Sequence, residues 1–390
     1  MKKRLAAILL NVLLLLGGLP VFAQDEVDMT VLETAAAVDD SLPARSAILI
    51  EQSSGRVLFE KNADEILPPA SITKVMTLLL VMEALEQNTL TLDTMVTCST
   101  HAASMGGSQI WLKEGEQLSV DDLLKATAIS SANDASVALA EQVAGSEEAF
   151  VDRMNERARQ LGMENTHFVN ATGLDAEGHV TTARDIATMS RVLLNYPLIA
   201  NYSSVWMTEL RGGATQLVNT NKLVRFYDGC TGLKTGTTDG AGSCLAASAT
   251  RKGMSLVAVT LGSPTSAERF SAARGLLDYG FSNYSKAEIP MLENLEPVRV
   301  RGGIEQWVDV VCEPPQAVIV RTADKESLTQ SVELEPEVQA PVESGQRLGK
   351  VIVQAGGNTL CEYRLVAATQ VQEMTFLRAM VILFEKLIAL

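Results

Sequence analysis

The sequence predicts an α+β protein in which an antiparallel sheet flanked by helices is followed by a small all-β domain and a C-terminal amphipathic helix. A strongly apolar segment at residues 71–86 is typical of a buried helix. Two pairs of short β-rich runs, within 46–60 and 243–262, each surround a polar turn and predict hairpins. Helical segments on both sides of such hairpins indicate helices packed against an antiparallel sheet.

The composition fits a globular protein with one large core and a smaller domain, because 47% of its 390 residues are hydrophobic. The formal net charge is −15 and the sequence has no basic stripe, so no nucleic acid is expected as a partner. We also expect no cofactor and no metal. Five cysteines without close pairs predict buried thiols rather than a disulfide framework or a zinc site. They are Cys98, Cys230, Cys244, Cys312 and Cys361.

Residues 1–23 have the pattern of a signal peptide. Three cations at positions 2–4 precede an apolar run that ends at Leu16, and Val21 and Ala23 supply small residues for cleavage. The alternative is a first transmembrane anchor, which the shortness of the apolar run disfavours. We therefore expect an exported protein.

The rest of the chain divides into segments of different composition. Residues 24–43 carry six acidic and no basic residues and are predicted to be a linker. Residues 44–284 hold the predicted α+β domain, and residues 285–368 hold the small β domain. Residues 369–390 are apolar and helical in pattern.

The elements of the first domain follow from apolar periodicity and turn residues. A hairpin precedes the long helix, and two further helices between residues 119 and 143 are interrupted at 130–132. Ser119 with Asp122 resembles a capping box that opens the first of these two. The other predicted elements are a hairpin at 46–51 and 56–60, a strand at 233–237, a hairpin at 243–250 and 254–262, and a helix at 266–279. The β domain is predicted from runs at 298–300, 307–312, 317–321 and 350–354.

The C-terminal helix is predicted to lie in a membrane interface, with the membrane surface as its partner. Arg378, Glu385 and Lys386 lie opposite one apolar face, and Glu373 stands at the predicted start, where a helix N-terminus favours an anion. Spanning a bilayer takes about 20 apolar residues, whereas the longest uncharged run in the second half is 379–384. Docking on the β domain or pairing with another copy is the alternative. The apolar face consists of Phe376, Leu377, Met380, Leu383, Phe384, Leu387 and Ile388.

The first candidate catalytic motif runs from Ser71 to Lys74 and reads Ser-Ile-Thr-Lys. A serine and a lysine three residues apart lie on the same side of a helix. A lysine buried among apolar neighbours has a lowered pKa and can take the serine proton, which makes the hydroxyl a nucleophile. Taken alone the motif is common, and an N-capping serine beside a solvated lysine is the alternative.

The second motif comprises Ser131, Ala132 and Asn133, in the predicted interruption between two helices. A short loop between helices can project a hydroxyl and an amide into a cleft. Ser131 would relay a proton between Lys74 and a leaving amine, and Asn133 would bind a substrate amide. The alternative for both is a helix N-cap.

The third motif is Lys234-Thr235-Gly236 in the predicted strand. The Lys and Thr side chains offer donors to a carboxylate, and the glycine lets a substrate backbone pair with the strand edge. The preceding glycines resemble a phosphate-binding loop only superficially, because Leu233 separates Gly232 from the lysine and a strand follows.

In this order the three motifs form the signature set of penicillin-recognising serine enzymes. Residues 44–285 resemble the D-alanyl-D-alanine carboxypeptidases among the low-molecular-mass penicillin-binding proteins. The stretches 69–74, 131–135 and 170–174 and the pair Asp228-Gly229 carry the resemblance. The small β domain and the amphipathic tail match the family's layout. The resemblance implies the penicillin-binding, β-lactamase-like transpeptidase fold for the first domain.

The resemblance also implies a reaction. Ser71 would be the acylated nucleophile with Lys74 as its base, and Ser131 and Asn133 would line the cleft opposite. The implied substrate is a peptidoglycan stem peptide ending in D-Ala-D-Ala, from which the terminal D-alanine leaves before water hydrolyses the acyl-enzyme. β-Lactam antibiotics are the implied covalent inhibitors, and the implied location is the outer face of the bacterial cytoplasmic membrane or the cell wall.

On the strand side, the resemblance makes Lys234 and Thr235 the grip on the terminal carboxylate. The backbone N–H groups of Ser71 and Thr237 would form the oxyanion hole. Arg269, in the last predicted helix of the domain, is a candidate second carboxylate partner, since arginine suits carboxylates. A surface helix arginine is the alternative.

Three positions depart from the family's pattern. Ala132 stands where many members have glycine, Thr237 where some have histidine, and Thr220 where some have arginine. Alanine fits the first position if the backbone there is not at positive φ. These departures bear on substrate preference more than on the reaction.

Two other functions are compatible with the motifs. A serine β-lactamase shares the acylation chemistry, but no Glu between Asn133 and Lys234 is followed four residues later by Asn, as expected in class A enzymes. A non-catalytic cell-wall binder is disfavoured by the complete motif set. A Ser-His-Asp triad is not expected, because no Gly-x-Ser-x-Gly elbow is present. The three histidines, His101, His167 and His179, are interpreted as structural or surface residues.

Overall fold

The computed structural model describes residues 42–312 and 317–388. The predicted signal peptide at 1–23 and nearly all of the predicted linker at 24–43 lie outside the described residues and stay predictions. Up to Ala287, the described helices are α1 Lys74–Glu86, α2 Thr100–Ala103, α3 Val120–Ile129, α4 Asn133–Ala144, α5 Glu147–Gln160, α6 Ala183–Leu193, α7 Ala200–Ser203, α8 Leu223–Phe226 and α9 Ser266–Asn283. The strands are β1 Ser46–Glu51, β2 Val57–Lys61, β3 Met95–Thr97, β4 Gln117–Ser119, β5 Met207–Leu210, β6 Thr215–Val218, β7 Cys230–Thr238, β8 Gly242–Arg251, β9 Met254–Ser263 and β10 Tyr284–Ala287.

A five-stranded antiparallel sheet forms the centre of this part, in the order β2-β1-β9-β8-β7. Successive side chains of a strand point to opposite faces, and here both faces are buried. Ile48 and Val257 pack into the core on one face, and Leu49 and Leu256 into the core on the other. β7 is an edge strand of this sheet, with β8 as its neighbour.

Helices cover both faces of the sheet. α1 is buried on all sides from Lys74 to Met82, because most of its residues are apolar and it lies between the sheet and other helices. It shares its core with α3, α4 and α6. On the opposite face, α9 packs Leu276 and Leu277 against the strands. This is the predicted α+β architecture.

The predicted elements of this part are present with shifted ends. The strand predicted at 233–237 is the longer β7. The helix predicted from Ser71 begins as a 3₁₀ turn over Ala70–Thr73 and continues as α1. Ser119 caps α3, since its hydroxyl accepts a hydrogen bond from the N–H of Asp122 at 3.1 Å.

A second, all-β part follows α9. Its described strands are β11 Val298–Arg301, β12 Trp307–Val308, β13 Val310–Cys312, β14 Val318–Arg321, β15 Thr329–Leu334, β16 Glu337–Gln339, β17 Arg347–Ala355 and β18 Asn358–Ala367.

Two small sheets enclose the core of this part. One has the order β12-β11-β16, with β11 and β16 parallel, and the other is the antiparallel sheet β13-β18-β17-β15. The sequence did not predict β15, β16 and β18. β15 is polar and mostly exposed, so it lacks an apolar pattern; its pairing with β17 makes it a strand.

The two parts are joined through β10, which follows α9 and pairs with β14. Ile319 of β14 packs into the core beneath α9. Arg56 donates a hydrogen bond to the Ile319 carbonyl and lies over the Tyr284 ring, 5.7 Å from its centroid. The boundary predicted between residues 284 and 285 falls inside β10.

The last described helix, α10, spans Phe376–Ile388. It begins three residues after Glu373, so the prediction that Glu373 marks its start is wrong. Glu373 instead forms a β-bridge with Gly303, and the hydroxyl of Thr375 caps the helix by accepting from the N–H of Arg378 at 3.4 Å. In the described part of the chain, no helix combines the length and the apolar character needed to cross a bilayer.

Helix α9 contains two glycines in contrasting surroundings, which allow a matched test of its packing. Gly275 is exposed and has no atom within 4 Å of where a Cβ would stand, whereas a Cβ on buried Gly280 would lie 2.5 Å from Leu256 Cδ1 and 2.9 Å from Leu49 Cδ2. We expect Gly275→Ala to raise the free energy of unfolding by about 0.5–1 kcal/mol, because alanine is the better helix former. We expect Gly280→Ala to lower it by about 1–3 kcal/mol, because core side chains must move. Denaturant unfolding measures both, and shifts of the same sign would contradict the packing described.

Candidate active site

Ser71 lies on the 3₁₀ turn that leads into α1, where backbone segments from two other elements approach it closely. A Cβ on Gly173 would stand 1.8 Å from the Ala70 carbonyl oxygen, and a Cβ on Gly236 would stand 2.9 Å from the Ser71 nitrogen. Only glycine fits at both positions. The turn of Gly173 and the edge strand β7 therefore enclose the serine from two sides, and Ser71 itself is half-buried.

Lys74 is completely buried one helical turn after the serine, and its amine contacts three oxygen atoms. Its Nζ lies 3.1 Å from Ser71 Oγ, 2.6 Å from Asn133 Oδ1 and 2.6 Å from the Thr172 carbonyl oxygen. A neutral amine has two N–H groups and one lone pair. With the two shorter contacts taken by the N–H groups, the lone pair points at the Ser71 hydroxyl.

The pKa of Lys74 is lowered well below its usual value. Burial is the main cause, because it penalises the ammonium form, and the charge of Lys234 adds to it, while Asp134 acts in the opposite direction. The solvated lysine that was the alternative for this motif is therefore excluded. A buried amine with a depressed pKa, directed at a hydroxyl, is able to act as a general base.

The second motif lies in the loop between α3 and α4. Ser131 is buried and adopts φ +64°, in the left-handed region, whereas Ala132 adopts φ −60°, which any residue tolerates. The alanine that departs from the family pattern therefore fits. Asn133 begins α4; its Oδ1 accepts from Lys74, and its Nδ2 donates to the Gly106 carbonyl at 2.7 Å. The sequence did not predict that Asn133 would hold the lysine.

The third motif lies on β7. Lys234 is buried, and its Nζ donates to the Thr235 carbonyl at 3.0 Å. Burial, followed by the nearby charge of Arg269, lowers the Lys234 pKa to about 7. Thr235 Oγ1 donates to Thr220 Oγ1 at 2.7 Å, so the position where some relatives carry arginine contacts the motif directly. Gly236 provides the close approach to the serine described above.

Arg269 projects from α9 to the back of β7 and is buried, so the surface-arginine alternative is wrong. Its guanidinium donates to the Gly236 carbonyl and to Thr237 Oγ1, both at 2.8 Å. Its Nε has no hydrogen-bond partner among the described residues. Arg269 thus holds the strand that carries the Lys-Thr-Gly motif through these hydrogen bonds, and it places a positive charge beside Lys234.

Sequence reasoning assigned no role to the turn at residues 170–173, which the structure places over Lys74. Asn170 Oδ1 accepts from the N–H groups of Thr172 and Gly173 and thereby shapes the turn. Thr77 Oγ1 donates to the Ala171 carbonyl at 2.8 Å and ties the turn to α1. The sequence signal for this turn is Asn170 together with Gly173, because asparagine and glycine are residues that favour turns.

None of the described histidines hydrogen-bonds to Ser71. His101 pairs with Glu147, and His179 contacts Thr73. The described residues include no group of three or more His, Cys, Asp or Glu side chains placed to hold a metal ion, and the five cysteines are unpaired. The serine and lysine one turn apart, the Ser-x-Asn loop and the Lys-Thr-Gly edge strand form the set of motifs that is typical of penicillin-recognising serine enzymes.

The chain belongs to the D-alanyl-D-alanine carboxypeptidase family, a family of serine peptidases that act on peptidoglycan. The family profile of that description matches residues 32–265, and the profile of the penicillin-binding protein 5 C-terminal domain matches residues 288–373. The predicted fold class and the predicted carboxypeptidase function are confirmed. Action on peptidoglycan implies a location outside the cytoplasm.

Relatives of this family match nearly the whole chain. The D-alanyl-D-alanine carboxypeptidase DacF of Bacillus subtilis is 37% identical over 97% of this chain and 96% of its own length. DacC of Escherichia coli is 37% identical over 86% of both chains. Penicillin-binding protein 5 from Haemophilus influenzae superposes with a TM-score of 0.79 at 30% identity, covering 87% of this chain and all of that one. Penicillin-binding protein D2 from Listeria monocytogenes, in its ampicillin-bound form, gives 0.58 at 33% identity over 63% of this chain and 100% of its own.

The geometry at Lys74 predicts a base, and Lys74→Arg tests this because arginine keeps the charge but does not deprotonate. We expect acylation by penicillin to slow by about 10² or more, the scale of general-base catalysis. In the unaltered protein, acylation rises with pH through the lowered pKa of Lys74 and levels off above it; the variant lacks this rise. Lys113→Arg, at an exposed lysine, is the control and leaves the pH profile unchanged. Near-normal acylation by Lys74→Arg would show that Lys74 is not the base.

Proposed function

We propose that Ser71 carries the acyl group when this carboxypeptidase removes the terminal D-alanine from peptidoglycan pentapeptide. The observation that supports this most directly is the Lys74 amine, buried and 3.1 Å from Ser71 Oγ, with its other contacts taken by Asn133 and Thr172. In the first step, Ser71 Oγ attacks the carbonyl carbon of the penultimate D-alanine while its proton passes to Lys74.

The negative oxygen of the tetrahedral intermediate is stabilised by the backbone N–H groups of Ser71 and Thr237. Ser131 then passes a proton from the Lys74 ammonium to the leaving nitrogen, the C–N bond breaks, and D-alanine departs. Water attacks the acyl ester in the second half of the reaction. Lys74 takes the water's proton and returns it to Ser71 Oγ.

The terminal carboxylate of the substrate binds at Lys234 and Thr235, with Arg269 behind them. A carboxylate beside Lys234 raises the pKa of Lys234 above its value of about 7 and so keeps the ammonium charged. The charged ammonium in turn binds the carboxylate more strongly. The edge of β7 at Gly236 and Thr237 has no neighbouring strand among the described residues on its outer side and pairs with the substrate backbone. Asn133 Nδ2 has a second N–H available for a substrate carbonyl.

β-Lactam antibiotics acylate Ser71 by the same first step and are covalent inhibitors. The ampicillin-bound structure of the Listeria relative supports this proposal, since that protein shares the fold at 33% identity. A β-lactamase activity is the competing function. The separating measurement is the rate of D-alanine release from a peptide ending in D-Ala-D-Ala against the rate of nitrocefin turnover.

Ser71→Ala removes the nucleophile and is the direct test of the proposed reaction. We expect the variant to lose both labelling by fluorescent penicillin and release of D-alanine from diacetyl-Lys-D-Ala-D-Ala, because no hydroxyl faces Lys74. Ser104→Ala, at an exposed serine that bonds only its own helix end, keeps both. Persistent labelling of Ser71→Ala would place the nucleophile elsewhere, and nitrocefin turnover faster than peptide turnover would favour the β-lactamase.

We further propose that the protein is exported by its N-terminal segment and held at the outer face of the cytoplasmic membrane by α10. The apolar face of α10 is exposed along its whole length, with exposed fractions between 40% at Met380 and 84% at Ile388. One alternative was that this face docks on the β domain. The exposure of its side chains does not support that alternative. A helix with one apolar face and too little length to span a bilayer is suited to the interface.

Truncation after Thr375 tests the anchor while leaving the bridge between Glu373 and Gly303 in place. We expect the truncated protein to leave the membrane fraction, since about seven apolar side chains no longer contribute to binding. Its penicillin labelling and thermal unfolding stay those of the full chain, which is the control for folding. Retention of the truncated protein on membranes, or loss of its labelling, would contradict the anchor.

A further inference from the structure

A buried histidine that takes no part in the proposed reaction connects to the nucleophile's turn. His179 is 3% exposed and lies between Phe168, whose ring meets it edge-on at 5.9 Å, and the 3₁₀ turn before α1. Its Nδ1 accepts from the backbone N–H of Val169 at 2.9 Å. Its Nε2 lies 2.8 Å from Thr73 Oγ1.

These two contacts settle which nitrogen carries the proton. Since Nδ1 faces an N–H group, it is the acceptor, and the proton of the neutral ring is on Nε2. Nε2 therefore donates to the Thr73 hydroxyl. Burial, with His167 as a smaller cause, lowers the pKa of His179 to about 4, so the ring stays neutral at physiological pH.

The Thr73 hydroxyl connects His179 to Ala70, the residue before the nucleophile. Thr73 Oγ1 donates to the Ala70 carbonyl at 2.9 Å. Ala70 adopts φ +49°, a left-handed conformation that a residue with a side chain seldom adopts without restraint. The same carbonyl oxygen lies against Gly173, where a Cβ would stand 1.8 Å away.

The direction of the Ala70 carbonyl determines the direction of the Ser71 N–H. Both groups belong to one planar trans peptide, in which C=O and N–H point in opposite directions. Rotation of this peptide would turn the Ser71 N–H away from the position of the oxyanion and would displace Ser71 Oγ from Lys74.

We infer that His179 is a positioning residue for the reaction: through the Thr73 hydroxyl it fixes the Ala70–Ser71 peptide, and with it the Ser71 N–H of the oxyanion hole. This inference rests on the proposed function, because it assumes that Ser71 is the nucleophile. It assigns to Thr73, inside the Ser-x-x-Lys motif, the role of a relay between the histidine and the strained alanine.

Thr73→Val tests the relay, because valine keeps the shape of threonine and lacks the hydroxyl. We expect the acylation rate constant for penicillin to fall about tenfold or more, as for a misdirected oxyanion donor, with the non-covalent affinity unchanged. Thr73→Ser restores the hydroxyl and the rate. Thr127→Val is the matched control, since the buried Thr127 hydroxyl has no partner among the described residues, and it leaves the rate unchanged.

A double substitution separates a relay from two independent effects. His179→Leu slows acylation as Thr73→Val does, and the double variant is no slower than the slower single variant, because both remove the same restraint. If the fold-loss of acylation rate in the double variant equals the product of the two single-variant losses, the inference is overturned. A lowered melting temperature with a normal acylation rate for Thr73→Val would overturn it as well, because this combination indicates a structural role only. Ser71→Ala, measured in parallel, distinguishes these outcomes: if it still becomes labelled, the proposed function fails, and if it does not, only the relay is rejected.

Discussion

The arrangement of this protein depends on the burial of one amine. Lys74 lies in the core, and no carboxylate of the described residues is at hydrogen-bond distance from its amine. Its hydrogen-bond contacts there are the Ser71 hydroxyl, the Asn133 amide oxygen and the Thr172 carbonyl. An ammonium so placed is strongly penalised, so the amine is held in the form that accepts a proton. The contacts come from the 3₁₀ turn before α1, from the start of α4 and from the turn at residues 170–173. These three segments must therefore hold fixed positions for the lysine to act as a base.

Close backbone approach is what keeps these segments together. Gly173 and Gly236 meet the turn of Ala70 and Ser71 from two sides, and each contact leaves no room for a Cβ. Arg269 binds β7 from behind through the Gly236 carbonyl. Ser71 is thus held by backbone contacts and hydrogen bonds rather than by large side chains.

The site brings three basic side chains together in a chain whose formal net charge is −15. Lys74, Lys234 and Arg269 are all buried. Burial and, after it, the charge of Arg269 lower the pKa of Lys234; burial and, after it, the charge of Lys234 lower the pKa of Lys74. In the reaction proposed above, a substrate carboxylate at Lys234 would offset the repulsion between Lys234 and Arg269, which fits a site that binds an anionic peptide end.

The sequence by itself determined the two hairpins, β7, α1, α3, α4 and α9 of the first domain and the residues of the three motifs; the shorter strands and the helices α2 and α5 to α8 were not predicted. β8 and β9 are continuous runs of small and apolar residues around a polar turn, α3 and α9 carry apolar residues at helical spacing, and a Ser-x-x-Lys spacing places two side chains on one helix face whatever surrounds them. Tertiary structure alone decided what holds Lys74, because a backbone carbonyl such as that of Thr172 is chemically the same in every residue and leaves no mark in a sequence. The same holds for polar β15, which is a strand because β17 lies beside it, and for Arg269, whose burial behind β7 follows from the packing of α9. Main-chain contacts and burial both depend on which distant segments of the chain pack next to a residue. The type of the residue itself does not specify those neighbours.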